Sequence, residues 1–112
     1  MAALSIQTIA ITGIVPSYSA ASGGGDTFVC STDRTYLHVK NGGGSPITVT
    51  VVTPGEAAPG VAIADVAVSV SNGSEKIIGP FYAALYQDST GTAAVTYSAV
   101  TSVTIGAFKL GQ

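Results

Sequence analysis

Few residues of this chain have the chemistry to act on a substrate. There is one histidine, His38, and one cysteine, Cys30, while Asp26, Asp33 and Asp88 stand among turn-forming residues. A serine-type triad needs a base held by an acid, so any such site must run through His38. Its own stretch, TYLHVKN, supplies no acid. A Cys30–His38 dyad is conceivable on neighbouring strands, yet nothing beside Cys30 raises its thiolate fraction. In TFVCS, Cys30 reads as a small buried hydrophobe, and a single cysteine permits no internal disulfide. Zinc needs three or four ligands, and the soft ones are missing. Calcium suits oxygen donors such as Asp26, Asp33 and Asp88, but these lack the dense acidic spacing of a calcium loop. Asp26 and Asp88 read as turn residues that hydrogen-bond their own backbone. The runs SGGGD and NGGGS lack the closing Gly-Lys-Ser/Thr of a phosphate loop. The expectation is a protein with no catalytic residue, no metal and no cofactor, and so not an enzyme.

Composition points the same way. Hydrophobic residues make up 46% of the 112 residues and charged residues only 9%, against about 25% charged in a typical domain. Monomers usually stay dispersed through interleaved charges. A surface of Ser, Thr, Ala and Gly suits a protein whose outside is used up by contacts in an assembly. Arg34, Lys40, Lys76 and Lys109 stand apart and the net charge is −2, so no basic face for nucleic acid is expected. No apolar run reaches the ~18 residues of a membrane span. The opening MAALSIQTIAITGIVP lacks a basic start, and Ser5, Gln7, Thr8 and Thr12 interrupt it, so it reads as a strand rather than a secretory leader.

The elements that must position these residues are strands. Val, Ile, Thr and Tyr abound, with turn residues every eight to twelve positions, which predicts an all-β fold. A first strand is expected over Leu4 to Ile11, followed by the loop SYSAASGGGD and a short strand from Thr27 to Ser31. In TYLHVKNGGGSPITVTVVTP, Leu37 and Val39 should face inward, with Tyr36, His38 and Lys40 on the other face. Asn41 to Pro46 reads as a hairpin turn whose glycines supply positive φ. The return strand carries Ile47, Val49 and Val51. TPGEAAPG reads as a loop, Val66 to Val70 as a strand, and Ser71 to Ser74 as a tight turn into Glu75 to Ile78. Gly79-Pro80 should end that strand. FYAALYQD allows a short helical turn, and Ala94 to Ala99 and Ser102 to Leu110 are the last strands. The whole, 1–112, reads as a single antiparallel β-sandwich domain, jelly-roll or Ig-like, of about 7–9 strands. Residues 1–26 are expected to form an extended N-terminal strand and flexible loop.

Three features of the sequence occur together. Gly-Pro-Phe follows an alternating strand, Tyr-x-Asp-x-x-Gly makes a turn, and Val-Thr-Tyr-Ser-Ala-Val-Thr-Ser-Val-Thr leads to the end. With LHVKNGGGSPITVTVVTPG, they resemble small all-β virion proteins of tailed bacteriophages, of the capsid decoration (cement) type, over roughly residues 35–110. The resemblance implies a structural protein on the outer surface of the head that binds the major capsid protein and braces neighbouring capsomers. It also implies a homo-oligomer, by analogy a trimer; the scattered basic residues and the lack of a long apolar run separately argue against direct nucleic-acid and membrane contact. A neck or tail structural protein is the nearest alternative.

Candidate assembly contacts on this reading are Leu4, Ile6 and Thr8 on the first strand, which could add to a partner's sheet. Tyr36 and His38 on the exposed strand face, and Tyr82 and Tyr86 beside Phe81, complete the set. Tyrosines exposed together would instead suit a glycan-binding module, although such platforms usually carry Trp and this chain has none.

Overall fold

Burial alternates residue by residue along 35–41, 47–51 and 66–70, as half-buried strands require. The computed structural model describes residues 2–30, 34–54, 56–62, 64–81, 86 and 91–110. Its strands are β1 (Ala2–Leu4), β2 (Ile6–Ile9), β3 (Ser19–Ala20), β4 (Asp26–Val29), β5 (Thr35–Asn41) and β6 (Ile47–Val51). They continue as β7 (Glu56–Ala58), β8 (Val61–Ala62), β9 (Val66–Val70), β10 (Glu75–Phe81), β11 (Thr92–Tyr97) and β12 (Val103–Leu110). Tyr86 has helical backbone.

Two five-stranded sheets form a β-sandwich. One runs β1-β4-β11-β6-β9; the other runs β10-β5-β12-β2, with β3 also paired to β12. The inward residues of the first sheet include Phe28, Val49, Val51 and Val95. Those of the second include Leu37, Val39, Val103 and Ile105, and all eight are essentially inaccessible to water. The molecule is 20 Å along its shortest axis, as expected for two sheets about 10 Å apart with side chains outside. The expected inward faces of β5, β6 and β12 are those observed.

Four connections differ from the sequence reading. Residues 35–51 are not a hairpin: β5 lies in one sheet and β6 in the other, so the glycine run is an arch across the sandwich. None of Gly42, Gly43 and Gly44 has positive φ. The glycines serve close approach instead, because a Cβ on Gly43 would lie 2.9 Å from the Thr101 carbonyl oxygen. Asn41 is buried at the foot of the arch. Its Nδ2 donates to the carbonyls of Ser45 (2.9 Å) and Val70 (3.1 Å), and its Oδ1 accepts from the Gly43 amide (3.0 Å).

The first strand is broken at Ser5. β1 pairs in parallel with β4 of one sheet and β2 in parallel with β12 of the other, so the sandwich is mixed rather than wholly antiparallel. Residues 2–9 therefore clasp both layers instead of extending away. β10 runs through Gly79-Pro80 to Phe81, with a register shift between Ile78 and Phe81 that absorbs the missing proline donor. Within TPGEAAPG and the residues after it, β7 and β8 make a small separate antiparallel pair. Its base is tied by the Thr53 amide donating to Asp65 Oδ1 at 2.8 Å.

Candidate functional site

The outer face of the β10-β5-β12-β2 sheet is where the polar and aromatic residues converge. Period two places Tyr36, His38 and Lys40 of β5 outward. The β12 register sets Phe108 beside Tyr36 and Gly106 beside His38, and β2 sets Gln7 beside Phe108. Phe108 points away from the main core yet is only 4% exposed. It is covered by a stacked Tyr36 ring at 5.7 Å and by a tilted Tyr18 ring at 6.0 Å. This is a satellite apolar cluster roofed by a loop.

The roof is the segment 10–18, which turns back over the sheet as a strap. The Gln7 side chain anchors it: Nε2 donates to the Ser17 carbonyl and Oε1 accepts from the Ser17 amide, both at 2.8 Å. Gly106 makes room beneath, because a Cβ there would meet the Phe108 ring at 2.9 Å and the Ser17 carbonyl oxygen at 3.0 Å.

The second anchor runs through His38. Tyr18 Oη lies 2.7 Å from His38 Nδ1, and His38 Nε2 lies 2.8 Å from Glu75 Oε1. A carboxylate can only accept, so a proton on Nε2 serves Glu75 and leaves Nδ1 to accept the phenol. Lys40 Nζ sits 3.9 Å above the Tyr18 ring as a cation–π contact. Chemically this is a base between a hydroxyl and an acid, the order of a triad. Burial first, and then the Glu75 carboxylate, raise the Tyr18 phenol above its ordinary value. An activated nucleophile needs the opposite shift. The arrangement satisfies both imidazole nitrogens and fixes the strap.

Between strap and sheet lies an open groove of about 310 Å³, walled by Ile14, Pro16, Tyr36 and Ile77 with His38 at its floor. A second hollow of about 270 Å³ adjoins it across Tyr36 and Ile77, bounded by Pro80, Leu110 and Arg34. Ile11 is 105% exposed, Val15 92%, Ile77 66% and Leu110 53%. No charged residue occurs before Asp26 in the sequence. The strap is therefore apolar and uncharged, and the sheet face beside it carries Lys40, Glu75 and Arg34.

The seven candidate contacts are divided by the fold. Tyr36 and His38 lie on this face. Thr8 is exposed on β2, whereas Leu4 is buried in the chain's own core and Ile6 is half-buried against it. Tyr86 packs edge-on to the core residue Phe81, at 5.1 Å between ring centroids, apart from Tyr36. Tyr82 lies outside the described residues, as do Asp33 and Asp88. Cys30 is buried. Among the described residues no three His, Cys, Asp or Glu side chains are grouped to hold a metal ion.

Sequence reasoning missed Tyr18, Glu75, Gln7, Gly106 and Phe108. None carried a local signal, since each matters only through partners on other strands. It also assigned Asp26 to a turn. Asp26 opens β4 fully buried, accepting from Tyr97 Oη at 2.7 Å and from the Ser22 amide at 3.3 Å, while its Oδ1 has no partner.

Comparison of the chain with protein-family models, curated proteins and solved structures finds no match.

Proposed function

We propose that this protein is a structural virion protein that binds the outer surface of a bacteriophage capsid and braces neighbouring capsomers. The observation that carries the reading is the strapped outer face, where Ile11, Val15, Ile77 and Leu110 stand exposed and the strap itself carries no charge. Its occupant on this reading is the major capsid protein. The sequence resemblance to decoration proteins and the low overall charge support the same assignment.

The physics suits a brace. Fully burying one aliphatic side chain contributes about 1.5–3 kcal/mol. Four of them give several kcal/mol before the cost of association is subtracted. Each copy therefore binds modestly, and bridging two capsomers multiplies the effect through high effective concentration. The two anchors at Gln7 and His38 hold the strap in one geometry, which lowers the entropy lost on docking.

The test is a density gradient of particles from the source, with this chain quantified by mass spectrometry in each fraction. Co-migration with DNA-filled heads at a fixed ratio to the major capsid protein is the expected result. Recovery with isolated tails reassigns it to the neck or tail, and recovery only in light fractions overturns the virion reading. The I11D/V15D variant should fold normally and be depleted from heads, because a docked charge without a partner is costly.

A further inference from the structure

The two sheets expose strand edges of different character. β10, at one edge of its sheet, carries Glu75, Lys76, Pro80 and a register shift, all of which obstruct pairing with another strand. β9, at one edge of the other sheet, has none of these. Its five residues, VAVSV, pair with β6 in unbroken register from Val51↔Val66 to Ile47↔Val70. Residues 66–74 include neither a charge nor a proline. Among the described residues β9 has a hydrogen-bonded neighbour on one side only. Ala67 and Ser69 point to solvent, and Val66 and Val68 remain half-exposed at the rim of the core.

We propose that β9 is a self-association edge, pairing antiparallel with β9 of a second copy about a two-fold axis at Val68. Such an axis is the symmetry of two identical antiparallel strands. It sets Val66 of each copy opposite Val70 of the other, and Val68 opposite itself, continuing the inner valine row across the boundary. Cross-strand pairs of β-branched residues favour that arrangement. On the outer face it sets Ala67 opposite Ser69, two small uncharged residues. A self-paired β10 edge would instead carry a proline and charged residues into the join. The pairing is dimeric, so it replaces the trimer expected by analogy. Five residues span only ~17 Å, and the contact buries less than the ~800 Å² per partner of a stable complex. The dimer is therefore weak and reversible, with a dissociation constant between micromolar and millimolar. It is independent of what the strapped face binds.

Sedimentation equilibrium of the isolated protein, from micromolar to millimolar concentration, tests this without any particle. A monomer–dimer equilibrium is expected. The variants A67E/S69E and A67K/S69K each put two like-charge pairs across the axis and should weaken the dimer by about tenfold or more. Mixing the two variants should restore pairing as a heterodimer, an outcome that misfolding could not produce. A wild-type protein that stays monomeric at millimolar concentration overturns the proposal. So does a trimer, or a dimer that the charge variants leave unchanged.

Discussion

Gln7 and Ser17 face each other across ten residues through two hydrogen bonds of 2.8 Å, one in each direction between a side-chain amide and a backbone peptide. That reciprocal pair converts residues 10–18 from a free loop into a strap over Phe108. Replacing Gln7 with Ala removes both bonds at an exposed site, at a net cost of about 1 kcal/mol. Amide hydrogen exchange should accelerate at Ser17 and Tyr18 while β5 and β12 stay protected.

Gly106→Val should displace the same strap from below. The added side chain meets the Phe108 ring and the Ser17 carbonyl, an overpacking worth about 1–3 kcal/mol. Urea denaturation measures the loss. The accompanying tyrosine fluorescence should report Tyr18 moving into water.

Asn41 serves three backbone groups at the arch. Asn41→Ala leaves buried partners unpaired, which costs about 2–4 kcal/mol. The midpoint of thermal unfolding should fall accordingly, and further than for Gln7→Ala, because the Asn41 site is buried.

Buried charges separate core from rim. Val49→Asp and Val103→Asp place a carboxylate between the sheets and should abolish folding, at more than about 4 kcal/mol. Ile6→Asp, half-buried at the edge, should cost about 1–3 kcal/mol and leave a folded chain. Circular dichroism of the three variants distinguishes these outcomes, and a folded Val49→Asp would contradict the packing described.

Tyr97 makes stability fall in alkali. Burial first, then the hydrogen bond and charge of Asp26, push its phenol far above the ordinary 10.0. Above that pH the unfolded chain releases the proton while the folded chain keeps it, so the unfolded state gains as pH rises. Tyr97→Phe should flatten the alkaline limb of stability relative to wild type. At neutral pH it should be less stable by about 1–3 kcal/mol, since Asp26 loses its donor. Denaturation midpoints from neutral to strongly alkaline pH give both numbers.

The sequence by itself determined which side is buried along β5, β6 and β12. Leu37 and Val39 inward with Tyr36, His38 and Lys40 outward, the row Ile47, Val49, Val51, and Val103 with Ile105 were all legible. A side-chain period of two follows from backbone geometry and needs no knowledge of the neighbouring strand. The scarcity of charge was legible as well, and it remains visible in the uncharged strap and the bare β9 edge.

Tertiary structure alone decided which strands are neighbours. Any two extended backbones can form the same hydrogen-bond ladder, so residues 35–51 fit a hairpin as well as an arch; burying both apolar rows against each other selects the arch. The same competition splits the first strand at Ser5, where Leu4 and Ile6 serve different sheets. It carries β10 past Gly79-Pro80, because an edge strand can spare the proline's missing donor. The outer site depended on it most. Tyr18, His38 and Glu75 are separated by 20 and 37 residues, and only the pairing of β10 with β5, together with the strap folded back over β12, brings them within hydrogen-bonding distance.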